Sequence, residues 1–303
     1  MSEPAASSGA SERATDGPVI EAVAVRPAAE LRPFIARYSG YRQVGVPPAR
    51  HAGLPSPHLT MIFTLDEPLS VVAHPDPAQP GGEYVTLAGG LHSVPALISH
   101  NGSQSGIQLA VSPLGARALF GIPAGELAAI DVEADAICGP VANEIQERIR
   151  AVTSWPARFA VLDEVLWRQL RTRRLDGEHG VGAEVRFAWQ RLLGSGGTIG
   201  MSELAAETGW SGRHLRTRFS AEIGLTPKAA ARVVRFDRAR RLLQRRAASG
   251  RFLELAALAA HCGYYDQAHL DAEFRALAGA APTTWLAREF RNLQASAVAA
   301  AEG

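Results

Sequence analysis

Apolar residues are patterned in two ways along this chain, and the change between them divides it. From Val19 to about Val111 they come in short or alternating runs: Leu59–Leu65, Leu69–Ala73, Tyr84–Leu87, Ala96–Ser99 and Ile107–Val111. Turns rich in proline and glycine, notably Pro75–Gly82, separate the runs. Short strands at this spacing predict a small β-sandwich or barrel. From Gly115 the spacing becomes helical. A short helix is expected over Ala116–Phe120, stopped by Gly121, and longer ones over Pro140–Val152 and Pro156–Arg173. In the last of these Phe159, Leu162, Val165, Leu166 and Leu170 form one apolar stripe, which suits either intramolecular core or a dimer face. Residues 174–183 hold three glycines among charges and read as a domain junction. Beyond them the pattern is nearly all helix.

The last 110 residues or so contain a degenerate internal repeat. Leu204-Ala205-Ala206, Gly209-Trp210, His214-Leu215, Phe219, Gly224 and Pro227 recur as Leu258-Ala259-Ala260, Gly263-Tyr264, His269-Leu270, Phe274, Gly279 and Pro282. The offset is 54 up to Gly263 and 55 from His269 onward, so one residue is inserted at the second turn, beside Tyr265. Each copy is too short to fold alone and reads as helix, tight turn, helix. The expected fold class is therefore α+β: an N-terminal small β-sandwich or barrel-like domain with helices, then an all-α domain of two helix-turn-helix units joined by a linker helix. The expected divisions are a disordered tail over 1–17, a sensing or dimerisation domain over 18–175, the double helix-turn-helix over 183–293 and a second tail over 294–303.

The residue types at the repeat positions suit helix-turn-helix geometry. Small Ala205 and Ala259 let the second helix of each unit cross closely. Gly209 and Gly263 take a left-handed turn without a Cβ penalty. Leu215 with Phe219, and Leu270 with Phe274, plug the groove between the helices. Ser211 and Asp266 are suited to cap the second helices. If they do, Arg213, Arg216 and Thr217 face outward near the N-terminus of the first reading helix, the end that meets base edges. Arginine there can bond guanine in bidentate fashion. The matching outward positions of the second unit are Gln267, Ala268, Asp271 and Ala272, a weaker reading face. Gln267 could read adenine and Asp271 could accept from cytosine. Ser211, Arg218, Lys228 and Arg232 are the expected phosphate contacts. Thr226-Pro227 opens the linker helix, which runs to about Arg246 with Val233, Val234, Phe236, Leu242 and Leu243 inward and seven arginines along its length.

Charge sharpens this picture. Residues 1–182 carry 14 Lys+Arg against 19 Asp+Glu, while 183–292 carry 17 against 10, so a nearly neutral chain hides a basic block. Such a block is the footprint of a phosphate-backbone partner; taken without the repeat, it would also suit a solvated face. The two cysteines, Cys138 and Cys262, have no metal-ligand spacing, and Cys262 reads as packing beside the turn. Met1–Gly17 lacks the basic start and apolar core of a signal peptide, and no apolar window of about 18 residues exists. A cytoplasmic location and no membrane contact are expected.

These motifs resemble the AraC/XylS family of bacterial transcription regulators over about Ala183–Leu293. The matching residues are Gly224-Leu225-Thr226-Pro227 in the first copy and, in the second, Gly263-Tyr264, His269-Leu270, Phe274, Gly279 and Pro282. Ala272, at a position often basic in the family, and Ala281, before the second proline, depart from the pattern. The resemblance implies that Arg213, Arg216 and Thr217, then Gln267, Ala268, Asp271 and Ala272, face two nearby major-groove segments of promoter or operator DNA. It implies as further partners RNA polymerase, a second copy of the chain through the N-terminal half, and a small effector. In that half Tyr38-Ser-Gly-Tyr41, Leu59–Leu65, Pro113-Leu-Gly-Ala-Arg117 and Gly121-Ile-Pro resemble an uncharacterised β-rich and helical sensing domain found in such regulators. A small-molecule site there is expected to be an apolar pocket with a few polar groups.

Two other classes fit parts of the chain. Five of the nine histidines, His51, His58, His74, His92 and His100, lie in the N-terminal half and invite a metal-dependent β-barrel enzyme. A metal cupin needs a His-x-His pair with a following carboxylate, and none is present. No phosphate loop, nucleophile elbow or dinucleotide fingerprint occurs. The expectation is a protein without catalytic residues, metal or cofactor. A helical module whose basic face meets an acidic protein is the other alternative, separable by the salt dependence of DNA affinity.

Overall fold

The computed structural model describes residues 17–175, 180–250 and 254–289. The expected tails, Gly17 apart, and residues 176–179 of the expected junction lie outside the described residues.

Ten strands build the N-terminal half: β1 (Val19–Val25), β2 (Ile35–Val44), β3 (Ala49–Gly53), β4 (Leu59–Thr64), β5 (Leu69–Ala73), β6 (Gly82–Tyr84), β7 (Thr86–Gly89), β8 (Ala96–His100), β9 (Gln104–Val111) and β10 (Asp131–Val132). They form an antiparallel six-stranded sheet in the order β1-β2-β9-β4-β7-β10 and a four-stranded sheet β3-β8-β5-β6. Alternation decides the buried face: Ile107, Leu109 and Val111 of β9 are fully buried and pair beside Tyr38, Met61 and Phe63. The run Tyr84–Leu87, expected as one strand, is two. Its first residue ends β6 in the small sheet, Val85 forms the bend, and Thr86-Leu87 start β7 in the large one. The corner between them is held by the Glu133 carboxylate, which accepts from the Val85 and Thr86 N–H groups at 3.2 and 3.0 Å and from the Thr86 hydroxyl at 2.7 Å.

Helices α1 (Pro113–Phe120), α2 (Asp135–Cys138), α3 (Pro140–Arg150) and α4 (Trp155–Leu175) pack against the large sheet. Ser112 caps α1 by accepting the Leu114 N–H, with Pro113 in the first turn and left-handed Gly121 at the end. The apolar stripe of α4 lies inside the molecule: Phe159, Leu162, Val165, Leu166 and Leu170 are all buried, and Phe159 stacks on Tyr38 at 6.1 Å. The Tyr38 hydroxyl donates to Asp163 of the same helix at 3.1 Å.

The C-terminal half consists of α5 (Ala183–Gly194), α6 (Met201–Thr208), α7 (Gly212–Ile223), α8 (Pro227–Ala248), α9 (Leu255–His261), α10 (Gln267–Ala278) and a further helix over 282–289. The apolar core does not stop at the junction. A single buried cluster runs from the sandwich through α1–α5 into α6, α7 and the start of α8, where Leu204, Leu215, Phe219, Ile223, Ala230 and Ala231 belong to it. The second half of the repeat has its own core: Val233, Phe236, Leu243, Leu258, Leu270, Phe274, Leu277 and Trp285. Leu242, expected inward, is half-buried at the edge of this second core.

Candidate nucleic-acid interface

The two copies of the repeat fold as helix, turn, helix. In the first, α6 ends at Gly209 with φ +70°, and Ser211 accepts the His214 N–H at 3.2 Å to cap α7. Trp210 lies edge-on to His214 at 4.7 Å. Ala205, Leu215 and Phe219 are buried, and Phe219 packs against Trp189 of α5. In the second, Gly263 has φ +76°, and a Cβ there would also strike the Thr198 methyl, so both backbone shape and space demand glycine. Asp266 accepts the His269 N–H at 2.8 Å, and Tyr264 lies edge-on to His269 at 5.3 Å. Ala259, Leu270 and Phe274 are fully buried, with Phe274 against Phe236 at 5.0 Å.

The outer faces differ. Arg213, Arg216, Thr217 and Arg218 are all exposed on α7, and among the described residues the three arginines enter no ion pair. The Thr217 hydroxyl is turned back onto the Arg213 carbonyl at 3.1 Å. On α10 the exposed positions are Gln267, Ala268 and Ala272. Asp271 is only half-exposed, and its Oδ1 is buried without a hydrogen-bond partner. Helix α10 thus offers no cation in its first turn; Arg275 stands exposed farther along.

Linker helix α8 begins as expected, with Thr226 accepting the Ala229 N–H at 3.2 Å and Pro227 in the first turn. Its 22 residues span about 30 Å at 1.5 Å per residue. Lys228 is exposed. Arg232 is not free: it bonds Glu273 of α10 at 2.9 Å and ties the linker to the second unit. Arg235 lies over the Tyr264 ring at 5.6 Å, Arg238 meets His261 at 3.2 Å, and Arg240 and Arg241 both pair with buried Asp237, at 2.6 and 2.7 Å. Much of the linker's positive charge is spent inside the molecule. The pairs with Asp237 lie within one turn of the helix, but the partners of Arg232, Arg235 and Arg238 are 23 to 41 residues away and leave no local sign in the sequence.

The N-terminal half holds the first unit directly. Arg117 of α1 donates twice to Glu222 of α7, at 3.0 and 2.8 Å. A single turn of 3-10 helix, Ala124–Leu127, packs on the same end of α7. A Cβ on Gly125 would collide with the Ala221 carbonyl oxygen, so only glycine allows this backbone approach. A second contact reaches the linker. Pro57 and His58 line a groove of about 310 Å³ with Leu193, Val234, Asp237 and Arg241. Burial pushes the His58 imidazole down to about 4, with Asp237 opposing and Arg241 and Arg37 reinforcing the shift.

The interior of the sandwich is filled by apolar side chains, and the cavity of the N-terminal half, about 240 Å³, opens at one end of it. Its walls are largely polar, including Tyr41, Ser70, Ser99, His100, Gln104 and Ser105. This cavity differs in character from the apolar pocket expected for a small effector, being lined by hydroxyl and amide groups. The histidines are dispersed: His74 bonds Asp131 at 2.6 Å, His92 bonds the Val94 carbonyl, and His51 lies 6.2 Å from His100. Among the described residues no group of three or more His, Cys, Asp or Glu is placed to hold a metal ion. Nor is any described helix long and apolar enough to cross a membrane. Cys138 and Cys262 are buried free thiols whose ionisation burial disfavours.

Residues 204–288 match the family model of a helix-turn-helix domain. Among solved structures the chain is similar to ToxT from Vibrio cholerae O395, at 12% identity over 82% of this chain and 96% of that one, with a TM-score of 0.48. It is also similar to the C-terminal domain of AraT, a response regulator from Geobacillus stearothermophilus, at 20% identity over 35% and 84% of the two chains, with a TM-score of 0.31. The AraC-like transcriptional activator CuxR is similar at 16% identity over 75% and 87%, with a TM-score of 0.30. No curated protein matches.

Proposed function

We propose, from the premise that residues 204–288 are a helix-turn-helix domain of the AraC type in a DNA-binding transcription regulator, that the two units read adjacent major-groove segments under the control of the N-terminal half. The observation that carries the proposal is the exposed surface of α7: Arg213, Arg216 and Arg218 stand exposed and unpaired around a helix whose remaining side, Leu215, Phe219 and Ile223, is buried core. Arg213, Arg216 and Thr217 are assigned to base edges, and Ser211, Arg218 and Lys228 to phosphates. Gln267, Ala268 and Asp271 are the corresponding positions of the second unit, where the half-buried carboxylate of Asp271 favours docking over reading. Arg232, first expected on a phosphate, is assigned to holding α10 through Glu273.

Residues 18–175 act as the sensing or dimerising part and 183–293 as the DNA-binding part. The polar cavity at the end of the sandwich is the site assigned to a small effector, and the Arg117–Glu222 contact is the route by which its state reaches α7. The protein works in the cytoplasm by binding, with no catalytic step and no cofactor. RNA polymerase and a second copy of the chain are its proposed further partners.

Selection of bound duplexes from random DNA by the full-length protein, at near-physiological salt, tests this reading. Two conserved blocks about one helical turn apart are expected. Recovery of no motif, together with affinity that is insensitive to salt, would assign the basic face to a protein partner instead.

A further inference from the structure

The inserted residue of the second turn is the most exposed large hydrophobic side chain among the described residues. Tyr265 is 93% accessible, although it sits between buried Tyr264 and the capping residue of α10. The insertion has a geometric reason. In the first unit the aromatic after the turn glycine, Trp210, is followed at once by the cap Ser211. In the second, Tyr264 takes the Trp210 role against a histidine and Asp266 takes the Ser211 role, so the extra residue has no place in the core and must project. It is not a loose tip: the Tyr265 N–H donates to His269 Nδ1 at 3.3 Å, and the next residue caps the helix. The phenol is therefore carried on a fixed turn at the N-terminus of the second reading helix.

That position has a chemical need. Gln267, Ala268 and Ala272 are uncharged, Asp271 is acidic, and Arg232 is occupied by Glu273. Phosphates are contacted by neutral donors as well as by cations, tyrosine hydroxyls and helix N-termini among them. Resting on the DNA-binding reading above, we infer that Tyr265 is a DNA-contact residue of the second unit. Its hydroxyl donates to a backbone phosphate at the lip of the groove that α10 faces. It seats a unit that has no arginine in its first turn, and it contributes affinity without sequence preference.

The test uses the full-length protein, a duplex recovered by selection, and the variants Tyr265→Phe, Tyr265→Ala and Arg216→Ala. Because the side chain is exposed, both Tyr265 variants should fold as the parent does. Each should weaken binding by about 3- to 10-fold, the range of one neutral hydrogen bond, and by the same factor on duplexes whose second block is scrambled. Phosphate-ethylation interference should show one phosphate beside the second block that matters to the parent and not to Tyr265→Phe. Retention of full affinity by Tyr265→Phe would overturn the proposal, including the case where Tyr265→Ala alone is weak, since the ring and not the hydroxyl would then be in contact. If Arg216→Ala is weakened while Tyr265→Phe is not, only the Tyr265 assignment falls. If neither differs from the parent, both residue assignments fall; if the parent recovers no duplex and its DNA affinity is insensitive to salt, the DNA-binding reading falls and takes this assignment with it.

Discussion

The two helix-turn-helix units share a backbone plan and differ in what they hold and what holds them. Both end their first helix at a left-handed glycine, cap their second through an oxygen three residues ahead of a histidine N–H, and bury a leucine and a phenylalanine between the helices. The first, however, shares its core with the N-terminal half and is clasped by Arg117, while leaving three arginines free. The second packs around its own core and on the linker, is touched from the N-terminal half by Leu54, and draws Arg232 of the linker into an internal ion pair. A repeated fold thus does not imply a repeated job. The first unit keeps three exposed, unpaired arginines on its outer helix, whereas the second exposes no cation in the first turn of its own.

The largest effect expected is on the two cores. Phe219→Ala and Phe274→Ala each empty a fully buried site and should cost about 3–5 kcal/mol. They should differ in reach: thermal unfolding followed by N-terminal and C-terminal probes should shift together for Phe219→Ala, while Phe274→Ala should shift the C-terminal signal ahead of the other. Next come the reading faces. Arg216→Ala should lose about 1–3 kcal/mol of discrimination between the preferred duplex and single-base variants, and Asp271→Ala markedly less. Equal losses in a competition assay would erase the distinction between the units.

The N-terminal half's two grips sharpen the comparison further. Removing the doubly bonded, partly buried Arg117–Glu222 pair by Arg117→Ala should cost about 1.5–3 kcal/mol, the range for charged hydrogen bonds. It should also loosen α7 without altering α10, as hydrogen exchange of the two helices would report. The grip on the linker is smaller and should depend on pH. The folded His58 titrates at about 4 against an ordinary value near 6.5. As pH falls from about 6.5 the unfolded chain takes up a proton that the folded chain refuses, so stability should decline until about pH 4 and then level off. His58 lines an open groove, and the effect is on the order of 1 kcal/mol after allowance for solvent. Measured by denaturation midpoints across that range, the parent should lose stability relative to His58→Gln as pH falls; parallel curves would remove His58 from the account.

What could be read in the sequence was what is local. The turn glycines, the caps Ser211, Asp266 and Thr226, and the inward residues of each unit follow from spacings of a few residues, and these fix the helical half. The α4 stripe gave a helix but left its packing partner open, because periodicity states which face is apolar and not what covers it. The split of the Tyr84–Leu87 run was hidden because the corner is made by Glu133, some 48 residues on. The clasp between Arg117 and Glu222 joins residues 105 apart, and no single-chain spacing signals such a pair. The outward arginines of α7 could be named from the helix period, but their freedom from ion pairs, like the capture of Arg232, depended on the three-dimensional placement of every carboxylate.

The division of the apolar interior falls within α8, whose Ala230 and Ala231 belong to one core and whose Val233 and Phe236 belong to the other. The seam between cooperative blocks therefore runs across a helix instead of through a loop. Any rigid-body rotation of the N-terminal half must carry the first reading helix with it as a passenger. The second meets the N-terminal half through Leu54, which packs on its core, as well as through the continuous hydrogen-bonded rod of α8. The relative pitch of α7 and α10 is therefore set both by the stiffness of one helix near its first two turns and by an apolar contact that bypasses that helix.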